Sequence, residues 1–223
     1  MIMIDFAIDP EIQQLWPDTC VGCLTWECRA TADAPGLWSY MEKDILPGLK
    51  KRLEETPLAE MPNLAQSRKA YKAFGKDPGR LRVSSEALYR RIRQGKELYR
   101  VNNVVDINNL VSVRTGFSVG SYDQARLSGP IALRLGKTGE TYAGIGKDAV
   151  DLYRLPLLAD ANGPFGSPSS DSTRTMITDA CTSILTVIYG FSGDTAIREA
   201  IALADVNIRR FSGATATTAF MVP

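Results

Sequence analysis

The chain has 223 residues, a hydrophobic fraction of 44%, a charged fraction of 23% and a formal net charge of +1. These values are ordinary for a globular protein with one sizeable core or two small ones. The chain has no histidine, which excludes a Ser-His-Asp triad, a Cys-His dyad and histidine-ligated metals. It shows neither a signal-peptide pattern nor an apolar run long enough for a bilayer, so we expect a cytoplasmic protein without membrane association.

Two of the four cysteines, Cys20 and Cys23, have the spacing of a zinc-binding pair. A closed zinc site needs four ligands, and the sequence offers neither a second such pair nor a histidine. The surrounding residues alternate in hydrophobicity, which is typical of a strand. We therefore predict a half-buried strand with inert, reduced cysteines, no metal and no other cofactor.

Hydrophobic periodicity and capping residues predict mostly helices in the first half of the chain. In chain order, the predicted elements are a strand at 2–8, a helix from Asp9-Pro10 that stops before Pro17, a strand at about 19–30, a helical stretch from Leu37 to Leu53 that Pro47 interrupts, a helix at 63–74, a helix that Ser84 or Ser85 caps and that ends at Gly95, and a helix from Asp106 to Gly116.

The second half is predicted to be mainly β structure. Its expected elements are a hairpin of residues 131–135 and 141–145, strands near 152–158 and 183–191, a helix from Asp194 to about Phe211, and a loose tail at 214–223. Helices in one half and strands in the other are typical of α+β proteins. We predict mixed β-sheets flanked by helices in a single compact unit, with residues 1–60 as a strand and helix layer packed on a main domain of residues 61–213.

Charge is unevenly distributed along the chain. Residues 68–100 contain eleven basic and three acidic side chains, a local excess of eight positive charges. Such a stretch is typical of a polyanion binder, although basic helices that pair internally or form a homodimer give the same pattern. The predicted RNA-binding residues are Lys72, Lys76, Arg80, Arg82, Arg90, Arg91, Arg93 and Lys96.

One apparent nucleotide motif fails. Gly136-Lys137-Thr138 is similar to the end of a P-loop, but the motif requires a glycine where Ile131 stands. A hairpin turn accounts for the same residues, so we do not expect nucleoside triphosphate binding.

Two segments combine glycines with short polar side chains. Residues 104–123 carry several such groups on an apolar helix, and buried polar groups need partners, so they line a polar site, cap a neighbour or face water. Residues 163–174 contain two glycines, four serines, Asp171 and Arg174. Backbone N–H groups and hydroxyls in such a loop can hold an oxyanion or a phosphate, although ordinary surface loops share this composition.

The first segment resembles the editing domain of the phenylalanyl-tRNA synthetase beta chain, which carries VDITNYV followed by LGQPLHAFD. The agreeing positions are Val105, Asp106, Ile107, Asn109, Val111 and Gly116, and Tyr122-Asp123 stand for Phe-Asp. The second segment is similar to that domain's AGVMGG-x-x-S loop, with Gly166 and its serines. YKAFGKDPGRLRVSSEALYRRI and GSPSSDSTRT also resemble free-standing proteins of this type. The resemblance covers residues 60–210.

This resemblance implies a partner, tRNA or aminoacyl-tRNA rather than DNA, and hydrolysis of mischarged tRNA as one candidate activity. Nothing resembles the synthetase's catalytic core, so ligase activity is not expected. Three family positions differ: threonine is replaced by Asn108, histidine by Gly120, and the glutamate has no counterpart because residues 183–191 contain no acid. A different hydrolytic arrangement, a different substrate and binding without catalysis all stay open.

We accordingly expect a pocket between residues 108–123 and 163–175. Its candidate catalytic residues, which would hold the attacking water, are Asn108, Ser170 and Asp171. Its candidate substrate-binding residues are Asn109, Arg114, Gly120, Tyr122, Asp123, Gly166, Ser167 and Arg174. Backbone N–H groups near Gly166 would stabilise an oxyanion. The alternatives are an amino-acid-binding module with no RNA role, and a structural or interaction domain that keeps an unused pocket.

Overall fold

The computed structural model describes residues 4–223, so residues 2 and 3 of the first predicted strand lie outside it. The helices are α1 (Pro10–Leu15), α2 (Leu37–Tyr40), α3 (Leu46–Glu55), α4 (Pro62–Ala73), α5 (Ser84–Arg93), α6 (Asn103–Thr115) and α7 (Asp194–Ser212). The strands are β1 (Phe6–Ile8), β2 (Cys20–Glu27), β3 (Ser118–Asp123), β4 (Ile131–Leu135), β5 (Thr141–Ala143), β6 (Ala149–Asp151), β7 (Pro156–Asp160), β8 (Gly163–Gly166), β9 (Ser183–Gly190) and β10 (Thr217–Val222).

The strands form two four-stranded sheets, ordered β1-β4-β7-β8 and β10-β2-β9-β3, and β5 pairs with β6. β1 runs parallel to β4, whereas the other pairs are antiparallel. α7 packs closely on the second sheet, because a Cβ at Gly22 or Gly190 would come within 2.7 or 2.4 Å of an α7 isoleucine. On the face of this sheet that points away from α7, β3 contacts β8 through Tyr122 and Phe165. This is the predicted α+β arrangement of mixed sheets and helices.

Local capping explains where several helices begin. Asp9 caps α1, as predicted, by accepting from the Glu11 N–H at 2.8 Å, and Pro10 is the first helical residue. The start predicted for α6 was wrong, because Asn102 caps it and Asp106 lies inside it. The start predicted for α5 was also wrong, because Val83 is the N-cap residue and makes no side-chain cap.

The predicted hairpin of residues 131–135 and 141–145 does not form. β4 instead lies between β1 and β7, and β5 pairs with β6. The reason lies at Gly136, which packs directly against the backbone at Leu152; a Cβ there would come within 1.8 Å of the Leu152 carbonyl oxygen. Residues 152–155 bond to both sides of the expected turn, since the Arg154 N–H donates to the Gly136 carbonyl at 2.8 Å and the Leu152 N–H to the Glu140 carbonyl at 3.0 Å.

Segments near both ends of the described residues 4–223 contribute strands to the sheets. The tail expected to be loose supplies β10, which pairs with β2 along residues 217–222. The first 60 residues supply β1 to one sheet and β2 to the interior of the other. β2 is therefore buried on both faces, rather than half-buried as its alternation suggested.

Candidate functional site

Asn108 belongs to a buried polar network that ties α6 to the second sheet. The Ser121 hydroxyl donates to Asn108 Oδ1 at 2.9 Å and shares a 2.7 Å hydrogen bond with the Thr186 hydroxyl. The indole N–H of Trp26 donates to the same Thr186 oxygen at 2.9 Å. These contacts satisfy buried polar groups, which is a structural role.

The Gly166 loop, defined here as residues 163–175, is closed by its own hydrogen bonds. The Ser167 hydroxyl donates to the Ser170 carbonyl at 2.7 Å and accepts from the N–H groups of Ser169 and Ser170 at 3.3 and 3.0 Å. The Ser167 N–H donates to Asp171 Oδ1 at 3.2 Å. The backbone donors expected to hold an oxyanion therefore already have partners within the loop.

Four tyrosines from four different elements hold this loop in place. Tyr71 Oη bonds to Ser169 Oγ at 2.8 Å, Tyr122 Oη donates to Asp171 Oδ1 at 2.8 Å, Tyr142 Oη donates to the Ser170 carbonyl, and Tyr189 Oη bonds to Tyr122 Oη at 2.6 Å. Burial raises the pKa of each of these phenols, so all four stay protonated at neutral pH.

The Tyr122 ring fills the space where the pocket was expected. Its side chain is fully buried and stacks edge-on against Phe165 at a centroid distance of 4.9 Å. A Cβ at Gly120 would lie 2.3 Å from the Tyr122 hydroxyl oxygen, and a Cβ at Gly166 would lie 2.2 Å from it. The two glycines thus make room for this phenol. The predicted cleft is closed in this structure.

Asp171 is the titratable group at this closed centre. Its Oδ1 accepts from Tyr122 and from the Ser167 N–H, and no group in residues 4–223 donates to its Oδ2. Burial raises the pKa of this carboxyl to about 6, while the two hydrogen bonds act in the opposite direction. A carboxyl that titrates near neutrality is suited to proton transfer.

Asn108 and Asp171 cannot hold the same water. Asn108 bonds to Ser121, whereas Asp171 bonds to the next residue along β3, Tyr122. Successive side chains of a strand point to opposite faces of its sheet. The sheet therefore separates the two residues, so they are alternatives for holding the attacking water and not members of one group.

Two other predicted binding residues have structural partners. Arg174 forms an ion pair with Asp160 at 2.8 Å and donates to the Gly163 carbonyl at 3.0 Å. Asp123 accepts from the Ala125 N–H at 3.1 Å and pairs with Arg126 at 3.3 Å. Neither side chain is available to a ligand in this arrangement.

The last two predicted binding residues lie on α6. Asn109 is half-buried, and Arg114 is exposed. Arg114 donates to the Tyr40 hydroxyl at 3.3 Å and lines a cleft to which the Gly166 loop contributes no described residue. The structure therefore groups Gly120, Tyr122, Gly166, Ser167, Ser170 and Asp171, and it places Asn108 and Arg114 elsewhere.

Five of the eight predicted RNA-binding residues are exposed: Lys72, Arg80, Arg82, Arg93 and Lys96. We call these five the basic set. Within the described residues no carboxylate lies within 4 Å of any of them except Asp77, which is 3.7 Å from Arg80. The Ser84 N–H donates to the Pro168 carbonyl at 2.7 Å, so the start of α5 lies directly against the Gly166 loop.

The other three predicted residues have internal partners. Arg90 pairs with Glu86 at 2.9 Å, and Arg68 binds the same carboxylate, whose side chain is only 1% exposed. The Lys76 ammonium lies 5.8 Å from the centre of the Tyr153 ring. Arg91 lies over the Tyr99 ring and donates to the Glu97 carbonyl. Of the three arginines on α5, only Arg93 has a side chain without a partner among residues 4–223.

Tyr99 is a candidate binding residue that the sequence analysis missed. Its side chain is 64% exposed, and the Arg91 guanidinium stacks on its ring at 3.9 Å. An aromatic residue inside a strongly basic stretch was the available signal.

The described residues contain no cluster of three or more His, Cys, Asp or Glu side chains placed to hold a metal. The four cysteines are free thiols, and burial raises the pKa of Cys20 and of Cys181 to about 12. None of the described helices combines the length and apolarity that a membrane span requires.

A family model for the B3/4 domain matches residues 66–211, from α4 to α7. This chain belongs to the B3/4 domain family. The matched part of this B3/4 domain includes the basic set, Asn108 with its partners Ser121 and Thr186, and the Gly166 loop, whereas Trp26 lies outside it. A comparison with curated protein sequences found no match.

Among the solved structures with a similar fold is that of an N-terminal fragment of the phenylalanyl-tRNA synthetase beta-subunit from Pyrococcus horikoshii. The TM-score is 0.51 at 13% sequence identity, and the match covers 100% of this chain but 55% of that one. The B3/4 domain described here thus spans about half the length of that fragment. Together the two matches confirm the resemblance to a domain of the phenylalanyl-tRNA synthetase beta chain.

Proposed function

We propose that this B3/4 domain binds tRNA, and aminoacyl-tRNA in particular, through the basic set. The observation that carries the proposal is the exposure of five cations, four of which have no carboxylate within 4 Å among residues 4–223. Unpaired cations lose little when they exchange water for phosphate, and they release counterions from the RNA when they bind. Family membership favours tRNA over other polyanions.

Tyr99 supports a role for unpaired bases in this binding. One face of its ring is covered by Arg91, while most of the side chain faces solvent. Exposed aromatic rings beside cations stack on nucleobases irrespective of sequence. Single-stranded nucleotides of a tRNA are therefore the expected contacts of Tyr99.

Ester hydrolysis is a second candidate, and Asp171 is the observation that favours it. With a pKa of about 6, this carboxyl is mostly ionised at neutral pH, and Oδ2 is unbonded within residues 4–223. As a general base it would take a proton from a water that attacks the aminoacyl ester. The Tyr122 ring would first have to leave the space between Gly120 and Gly166.

Binding of fluorescently labelled tRNA across a potassium chloride series tests the first proposal. We expect replacement of Lys72, Arg82, Arg93 and Lys96 by alanine to reduce the slope of log affinity against log salt by about 3, at roughly 0.7 per phosphate contact. A matched variant that removes four exposed cations outside the stretch, Lys43, Lys51, Lys147 and Arg198, should bind like the wild type. Equal losses in both variants would contradict the proposal.

The release of amino acid from mischarged tRNAs tests the second candidate. Hydrolysis that disappears in Asp171→Asn, with unchanged tRNA binding, would support it. Tight tRNA binding without release of any amino acid from a panel of mischarged tRNAs would indicate a tRNA-binding protein without hydrolase activity. Binding of free amino acids without any tRNA binding would instead favour the small-molecule alternative. Cytoplasmic location and dimerisation stay predictions.

A further inference from the structure

A second cleft lies away from the Gly166 loop, where the ends of α3 and α6 meet the start of α4 and one side of α7. Its volume is about 350 Å³, within the usual range for small-molecule sites. Pro62, Ala196 and Leu203 contribute its accessible apolar surface, and the almost fully buried Leu64 and Phe117 lie behind them. Arg52, Arg114 and Glu199 contribute charge. We call this the Arg52–Arg114 cleft.

The two guanidinium groups of this cleft have no acidic partners. Within the described residues no carboxylate lies within 4 Å of Arg52 or Arg114, and the hydrogen bond of Arg114 to the neutral Tyr40 hydroxyl is long, at 3.3 Å. Arg210 stacks on the Tyr40 ring at 4.5 Å and adds positive charge nearby. Two unpaired guanidinium groups in one cleft favour a carboxylate or phosphate ligand.

Helix capping does not account for Arg114. The last carbonyls of α6 already have other donors: Asn63 Nδ2 to Thr115 at 2.6 Å, Tyr89 Oη to Val113 at 3.0 Å and the Gly116 N–H to Ser112 at 2.8 Å. Arg114 is therefore free to bind a ligand.

Glu199 gives the cleft a negative group on the α7 side. No cation of the described residues lies within 4 Å of its carboxylate, although two arginines line the same cleft. A carboxylate here disfavours a doubly charged phosphate and favours an ammonium group. The accessible apolar residues of the same cleft suit a short aliphatic or aromatic side chain.

We propose that the Arg52–Arg114 cleft binds a small zwitterion of the α-amino-acid class, with its carboxylate on the arginines, its ammonium on Glu199 and its side chain on Pro62, Ala196 and Leu203. This site contains none of the residues of the basic set. Its failure would therefore leave the proposed tRNA binding intact, and the reverse also holds.

Calorimetric titration of the full chain tests the site with L-leucine, L-methionine and L-phenylalanine. Each is compared with its amide, which lacks the carboxylate, and its N-acetyl derivative, which lacks the ammonium; inorganic phosphate is the simple anion. We expect at least one free amino acid to bind at millimolar concentration or below. Its amide and N-acetyl forms should bind at least ~10-fold more weakly, the loss typical of one charged hydrogen bond.

Variants locate the binding and separate the two charged ends. Arg114→Gln should weaken binding of the free amino acid at least ~10-fold, whereas the control Arg198→Gln, on an exposed part of α7, should not. Glu199→Gln should weaken the free amino acid but not its N-acetyl derivative. No binding by any amino acid, phosphate binding as tight as the best amino acid, or unchanged binding in Arg114→Gln would each overturn the proposal.

Discussion

The Gly166 loop and the basic set adjoin each other at the start of α5, but their polar groups are used in opposite ways. In the loop, serine hydroxyls, backbone N–H groups, a carbonyl and Asp171 bond to one another and to three tyrosines, and a fourth, Tyr189, bonds to Tyr122. In the basic set, the side chains face solvent, and only Arg80 has a nearby acid. A polar, glycine-rich loop therefore indicates room for a ligand only when its own side chains leave that room free.

The largest effect that we expect comes from Gly166→Ala. The new methyl group would lie 2.2 Å from the Tyr122 hydroxyl oxygen in a fully packed region, so the free energy of unfolding should fall by about 3 kcal/mol. Urea unfolding measures this loss. Gly48→Ala is the matched control, because a Cβ there meets nothing within 4 Å. Equal stability of Gly166→Ala and wild type would show that Tyr122 does not close the loop.

Glu86→Gln should produce the next largest loss of stability. It tests the surface around the basic set, whereas Gly166→Ala tests the Gly166 loop. Glu86 is buried and binds both Arg68 and Arg90, so removal of its charge should cost about 2 kcal/mol of unfolding free energy. It also frees two cations beside the basic set, so tRNA affinity should rise about 2-fold. Reduced tRNA affinity in a folded Glu86→Gln variant would contradict the assignment of this surface.

Asp171→Asn should change how stability depends on pH. The folded-state pKa of Asp171, about 6, exceeds its unfolded value. Its stabilising effect is therefore complete below the unfolded pKa and is lost as pH rises through 6. Between pH 4 and pH 7 the wild type should lose about 1.5 kcal/mol relative to Asp171→Asn, because partial exposure moderates the shift. Parallel pH profiles in thermal unfolding would refute this account of Asp171.

Tyr99→Ala should have the smallest effect, and only on binding. The side chain is exposed, so stability should stay unchanged, while loss of one stacked base should cost about 1 kcal/mol of tRNA binding, or roughly 5-fold in affinity. Val206→Ala removes another large exposed side chain, on α7, and should bind tRNA normally. If the two variants bind equally well, Tyr99 is not a stacking site.

Elements with strong local signals could be predicted from the sequence. α1 has its aspartate cap and its proline. α7 has apolar residues at helical spacing, and it lies between Gly193 and Gly213. β10 and the β5–β6 pair were missed because their signals are not local. β10 depends on the open edge of β2, almost 200 residues earlier in the chain.

The candidate site shows the same limit. Residues 104–123 and 163–174, which the sequence analysis assigned to one pocket, meet where Tyr122 donates to Asp171. The sequence does not reveal that the Tyr122 ring fills the space beside both Gly120 and Gly166, because this contact spans more than 40 residues. Nor does the sequence reveal which arginines form ion pairs, because helical spacing alone does not decide whether Glu86 faces the core or the solvent.

Hydrogen exchange of the chain with and without tRNA tests the central claim most directly, because it reports on both regions in one experiment. We predict slower exchange on tRNA binding in α4, α5 and residues 94–101, with unchanged exchange across residues 163–175. Protection confined to residues 163–175, with none in α5, would show that the Gly166 loop opens to receive the RNA and that the basic set does not bind it.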